Sequence, residues 1–183
     1  MKLSSLRRRQ PAGILCLLVA LLFMLGGCSN MREEAKKNRP STVEVWKFIE
    51  QESAQAGLDP YFVFAIAQAE SSLDPSAESA NGFARGLMQM SEGAWQTVSD
   101  KDWDHAWQWQ ENVRMGIAYL VHLRGLLEKA RAFSYPALAA SYRFGPGAVK
   151  RQNYSVSSFL PRVKNRVYRQ LLSGNLRPVP APT

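Results

Sequence analysis

Glu70 is the residue of this chain whose charge fits least well with its neighbours. It closes the stretch Asp59-Pro60-Tyr61-Phe62-Val63-Phe64-Ala65-Ile66-Ala67-Gln68-Ala69-Glu70. Asp59 suits a helix N-cap and Pro60 the first helical position, so the spacing predicts a helix that runs until Ser71, Asp74 and Pro75 break it. At 100° per residue Phe62, Val63 and Ile66 share a face with Glu70, which puts the acid at the end of the stripe that must meet the core. Three and four positions away stand Ile66, Ala67, Leu73 and Asp74, none of them basic, so no local ion pair is available. Apolar surroundings, the C-terminal end of the helix dipole and Asp74 would each raise the carboxyl pKa. A carboxyl that keeps its proton near neutrality is equipped for general acid chemistry. The same pattern also fits a buried structural hydrogen-bonding Glu.

The elements that must hold this acid read as helices. Thr42 to Gly57 carries a stripe of Val45, Trp46 and Ile49, and Ser72 to Arg85 is rich in Pro, Ser, Asn and Gly and reads as a surface loop near Glu70. Ser91 caps a helix through Trp95 and Val98, and Asp100 to Trp109 is irregular and Trp-rich. Asn112 to Leu127 is a long helix with Val113, Ile117, Leu120 and Val121 inward, Pro136 opens a helix through Tyr142, Pro146 a short one, and Arg162 to Leu172 is a basic terminal helix. No strand alternation or repeat stands out. The fold class is therefore mainly α, in a single globular domain.

The N-terminal segment reads as an address. Lys2, Arg7, Arg8 and Arg9 precede an uncharged, mostly apolar run from Pro11 to Gly27, short of the ~20 residues of a membrane span. It ends in Leu25-Gly26-Gly27-Cys28, which resembles a bacterial lipobox and implies cleavage after residue 27 and lipid on Cys28. By that resemblance Ser29 points to the periplasmic face of the outer membrane. Residues 28–41 then form the acylated Cys and a flexible tether, 42–172 the folded domain, and 173–183 a disordered tail with Pro178, Pro180 and Pro182. With Cys16 in the removed part and Cys28 lipidated, no disulfide or Cys metal site remains, and His105 and His122 are not spaced as ligands. No metal and no cofactor are expected. Removing residues 1–27 takes away four basic residues and lowers the formal charge from +8 to +4. No Asp or Glu follows Glu128, so the C-terminal part is basic. That face is suited to solvent, anionic head groups or the carboxylates of a wall polymer. The export signal argues against a nucleic-acid partner.

A set of short motifs then falls into order: Gly57 to Pro60, Glu70-Ser71, Gly86-Leu87-Met88-Gln89, Asn112 with Gly116, Tyr119 and Leu120, Pro136 to Ala140, Tyr142, and Gly145-Pro146-Gly147. Over about Val43 to Val149 this resembles the soluble lytic transglycosylase (SLT) family of lysozyme-like enzymes, of goose-type fold. The resemblance implies cleavage of the β-1,4 bond between N-acetylmuramic acid and N-acetylglucosamine in peptidoglycan. One Glu would protonate the leaving oxygen and then take the proton of the muramic C6 hydroxyl, giving a 1,6-anhydro product where ordinary glycosidases use a second carboxylate. It assigns catalysis to Glu70 and substrate binding to Ser71, Gly86, Met88, Gln89 and Tyr142. By their own chemistry Met88 reads as packing, Tyr142 equally as a core aromatic, and Gln89 equally as a satisfied turn residue. Trp103, Trp107 and Trp109 read as core before sugar platforms.

The chain departs from the family pattern in several places. Ala80-Asn81-Gly82-Phe83-Ala84 stands for Ser-x-x-Gly-Ala, with Ser79 the nearest serine. Tyr142-Arg143-Phe144-Gly145 stands for Tyr-Asn-Ala-Gly. At the C-terminal Glu-Thr-x-Asn-Tyr-Val, Arg162 and Val163 replace Glu and Thr and Arg166 the Tyr. The reading is a lipid-anchored, monomeric peptidoglycan lytic transglycosylase in the cell envelope, acting on glycan strands, with an assembly protein of the envelope as a further partner. A hydrolytic muramidase and a non-catalytic wall-binding lipoprotein stay open as alternatives.

Overall fold

The computed structural model describes residues 30–182; residues 1–27, expected to be a signal peptide, and Cys28, expected to carry lipid, lie outside the described residues. Helix α1 covers residues 30–37, and α2, Thr42–Ala56, starts at a reciprocal cap between Ser41 and Glu44 and ends at Gly57 with φ 63°. Helix α3, Pro60–Ser71, has the expected start: Asp59 Oδ1 accepts from the backbone N–H of Tyr61 at 2.8 Å and Phe62 at 3.3 Å. Its middle is apolar on every side. Phe62 through Ala67 are all buried, so α3 is a central helix, and the stripe of Phe62, Val63 and Ile66 meets the core as expected. Each of its larger side chains contributes about 1.5–3 kcal/mol through burial.

Around α3 pack α2 and the terminal helix α8, Arg166–Leu172. Helix α5, Trp109–Lys129, lies against α2 and α6, Tyr135–Phe144. Arg124 fastens α5 to the end of α2, its Nη1 donating to the Gly57 carbonyl at 2.8 Å. After α6, Gly145 at φ 83° turns the chain into α7, Pro146–Arg151. The terminal helix begins four residues later than expected because Ser157–Arg162, with Pro161 inside, forms a 3-10 turn; Asn165 then caps α8 by accepting from Tyr168 N at 3.1 Å.

A second, smaller cluster of Met90, Trp95 and Ala106 sits beside this core. It is built from α4 (Glu92–Val98), a 3-10 turn at Trp103–Trp107, and a two-stranded hairpin that the residue pattern did not reveal. Strands β1, Ala84–Arg85, and β2, Met90–Ser91, pair antiparallel with Arg85 opposite Met90, and two residues per strand are too few for a period-two signal. Ser91 caps α4 as expected, accepting from Ala94 N at 3.2 Å. Tyr119 and Tyr142 pack against both clusters, with ring centroids 5.9 Å apart.

Two expectations at the ends are corrected. Residues 30–37, expected within a flexible tether, are helical, and Arg32 ties them to the domain through Glu78 at 2.7 Å and the Ser76 carbonyl at 3.2 Å. The tail, expected to be disordered from its prolines, lies along the core with Leu176, Val179 and Ala181 packed on it and the Arg177 guanidinium 4.1 Å from the Tyr61 ring centre. Among the described residues no helix is long and apolar enough to cross a membrane.

Candidate active site

Glu70 stands in the last turn of α3, where it opens onto a cleft of about 320 Å³ between the helical core and the small cluster. Its side chain is 7% exposed. Both carboxylate oxygens have partners: the Tyr168 hydroxyl donates to Oε1 and Arg143 Nη1 lies 3.1 Å from Oε2. Burial raises the carboxyl pKa, opposed by the Tyr168 hydrogen bond and by the charge and hydrogen bond of Arg143. The expected direction of the shift therefore stands, with burial as its largest cause. Asp74 turns to its own loop, its Oδ1 accepting from Ser76 N at 2.9 Å and Ser76 Oγ at 2.8 Å.

The wall facing Glu70 comes from the hairpin. Gly86-Leu87-Met88-Gln89 links the two strands, and Gln89 lines the cleft with Ser79, Ala84 and Met90. Gln89 Nε2 donates to the carbonyls of Ala77 and Gly86, each at 2.9 Å, which leaves its Oε1 as the acceptor it can offer a sugar. Ser79 also lines the cleft; it accepts from Ala84 N at 2.9 Å and bonds Asn81 at 2.8 Å, which fixes the loop before the hairpin.

Three expected substrate contacts are instead structural. Gly86, at φ 77°, is required by packing: a Cβ there would lie 2.3 Å from the Ala106 carbonyl oxygen and 2.4 Å from Asn112 Nδ2. Met88 is fully buried against Gly116, where an added Cβ would come 2.3 Å from its sulfur. Ser71 donates to the Leu87 carbonyl at 2.6 Å and accepts from Asp74 N at 3.1 Å, so its hydroxyl binds the hairpin to the end of α3 and does not line the cleft. The hairpin is further held by Asn112, fully buried, whose Oδ1 accepts from Met88 N at 2.6 Å while Nδ2 donates to the carbonyls of Arg85 at 3.0 Å and Ala106 at 2.9 Å.

Tyr142 does line the cleft, but its hydroxyl donates to the Met88 carbonyl at 2.9 Å and not to Glu70. The tyrosine that holds the acid is Tyr168, which motif matching missed because the family Tyr aligned with Arg166, two residues earlier. In the sequence Tyr168 shares an apolar face with Leu171 and Leu172 and reads as core, which it also is. Burial, with the nearby Glu70 charge, holds both tyrosine hydroxyls protonated far above the usual range, so each remains a donor. Arg143 carried a signal only as a departure from the family's Asn. None of the three tryptophans lines the cleft: Trp103 donates to the Met90 carbonyl at 3.1 Å, Trp107 is buried and Trp109 packs on Phe48 at 5.1 Å.

A helical domain with one acid at the end of a buried helix, facing a hairpin across a cleft, is a lysozyme-like fold. The family described as Transglycosylase SLT domain matches residues 47–164, more than half of the chain, and the chain belongs to that family. Among solved structures, an inactive mutant of the lytic transglycosylase Slt from Pseudomonas aeruginosa is similar at 24% identity over 72% of this chain, with a TM-score of 0.49. The chain spans 21% of that protein's length. No curated protein sequence matches it.

Proposed function

We propose that this chain is a peptidoglycan lytic transglycosylase that cuts the bond between N-acetylmuramic acid and N-acetylglucosamine and leaves a 1,6-anhydromuramoyl end. The observation that carries this reading is the solitary carboxylate: among the described residues lining the cleft, Glu70 alone is acidic. Two-carboxylate glycosidase chemistry needs a second acid some 5–10 Å away as nucleophile or base. With one, the substrate's own C6 hydroxyl can serve as nucleophile. Protonated Glu70 gives its proton to the leaving oxygen, the C1–O bond breaks, and the carboxylate so formed takes the C6 hydroxyl proton as O6 closes on C1. Tyr168 steadies Oε1 throughout, which leaves Oε2 to carry the proton.

Mass spectrometry of a wall digest tests this, because anhydro ends lack the water present on the reducing ends of a hydrolase. Anhydro ends support the proposal; reducing ends alone would replace it with a hydrolytic muramidase. Tyr168→Phe keeps the buried ring and removes the donor to Oε1. Since that bond favours the ionised acid, its loss moves the Glu70 pKa upward and shifts the alkaline limb of the rate profile to higher pH, with a roughly tenfold lower maximum rate. An unshifted limb would exclude Tyr168 from the catalytic unit. We further propose that residues 1–27 direct export and that Cys28 carries the lipid, which labelling with a tagged fatty acid and loss of label in Cys28→Ser would establish.

A further inference from the structure

Arg143 belongs to two depressions. On one side it meets Glu70 in the catalytic cleft; on the other it lines a groove of about 400 Å³ with Phe144, Arg162, Val163, Lys164 and Asn165. None of these groove residues is acidic, and no Asp or Glu follows Glu128 anywhere in the chain. Among the described residues neither Arg162 nor Lys164 has an ion pair, while the half-exposed Arg143 has only Glu70. Three cations around one groove repel each other until an anion joins them. A carboxylate matches the guanidinium fork of Arg143 and Arg162 geometrically.

The catalytic cleft needs the same change. Tyr168 holds Oε1 and Arg143 holds Oε2, and the charge of Arg143 favours the ionised carboxylate over the protonated acid. Proton delivery from Oε2 is therefore favoured when Arg143 moves away. Turning toward Arg162 and Lys164 is unfavourable unless negative charge is already there.

We propose that the groove is a subsite for a carboxylate of the peptide borne by the muramic residue, and that its occupation draws Arg143 off Glu70. This rests on the transglycosylase reading. The substrate's own charge then releases the acid, and strands carrying free carboxylates are selected over neutral ones.

The test uses the full chain and two probes: a soluble disaccharide-tetrapeptide from peptidoglycan, and the same compound with its carboxylates amidated by carbodiimide and ammonia. Calorimetry should show the free acid binding about two- to fivefold more tightly, the scale of one partly exposed charge pair. The exposed pair change Arg162→Gln/Lys164→Gln should abolish that preference, and Arg162→Glu/Lys164→Glu should reverse it. In digests, native wall should be cut several-fold faster than amidated wall by the parent protein and at equal rates by the Gln double variant. Equal binding of both probes by the parent protein, or a preference that survives the Gln double variant, overturns the subsite. Failure of the underlying reading looks different: anhydro ends would be missing from every digest while the binding preference stood.

Discussion

Glu70→Gln lowers peptidoglycan turnover by about a thousandfold or more while the protein stays folded. Gln matches Glu in size, so it fills the same buried position beside Tyr168 and Arg143, but it has no acid proton to give and no carboxylate to take one back. Both halves of the reaction lose their only proton carrier, and general acid–base assistance is worth about 10²–10⁴-fold for each such group. Release of anhydro-muropeptides followed over time is the measurement, and turnover within tenfold of the parent protein would remove Glu70 from the chemistry.

The same variant has a thermal signature whose sign follows from the buried acid. Because burial raises its pKa, the folded protein keeps the Glu70 proton to a higher pH than the unfolded chain does. The stability tied to the neutral acid is complete below the ordinary carboxylate value and is lost as pH rises through the raised folded value. Gln has no proton to lose. Its melting temperature relative to the parent should therefore climb as pH rises above the ordinary carboxylate value. A flat difference across that range would mean that the carboxyl is not held neutral by its surroundings.

Asn112→Ala should be the most damaging change to the fold around the cleft. Asn112 is the fully buried junction between α5, the hairpin and the 3-10 turn, and its amide serves Met88 N and the carbonyls of Arg85 and Ala106. Removal takes a hydrogen bond from three backbone groups, two of them at buried contacts, at about 1 kcal/mol or more each, and leaves a cavity. The expected loss is about 3–5 kcal/mol, or roughly 6–15 °C in melting temperature. Asn112→Asp separates chemistry from shape: it is isosteric, but it turns a donor into a carboxylate oxygen facing two carbonyls, and it should be at least as destabilising. Turnover should fall with stability in both variants because Gln89 rides on the hairpin. Should Asn112→Asp melt with the parent protein, the hydrogen bonds are not what holds the hairpin.

The position of Glu70 was legible because caps and breakers act over a few residues. Asp59, Pro60 and the Ser71 to Pro75 run locate the helix, and an acid on its apolar face is anomalous without any knowledge of the fold. The cap Ser91 and the long helix of Val113, Ile117 and Leu120 were legible for the same reason. The hairpin was not, since strands of two residues leave no period, and Gln89 appeared only as part of a motif. The basic partner of Glu70 was beyond local reading: three- and four-residue spacing excludes a neighbour on the helix, yet Arg143 arrives from α6, 73 positions away.

Composition and local pattern were thus enough to indicate a helical domain, the helix that ends at Glu70 and the anomalous carboxyl on its apolar face, because helix periodicity and capping depend on residues within a turn or two. Packing alone decided which groups touch that carboxyl. It brought Tyr168 across 98 positions and Arg143 across 73, and it turned Ser71, Gly86 and Met88 from substrate contacts into braces of the hairpin. Such pairings arise where helices far apart in the chain are pressed together by burial of their apolar faces, so their choice of partner is a property of the assembled core.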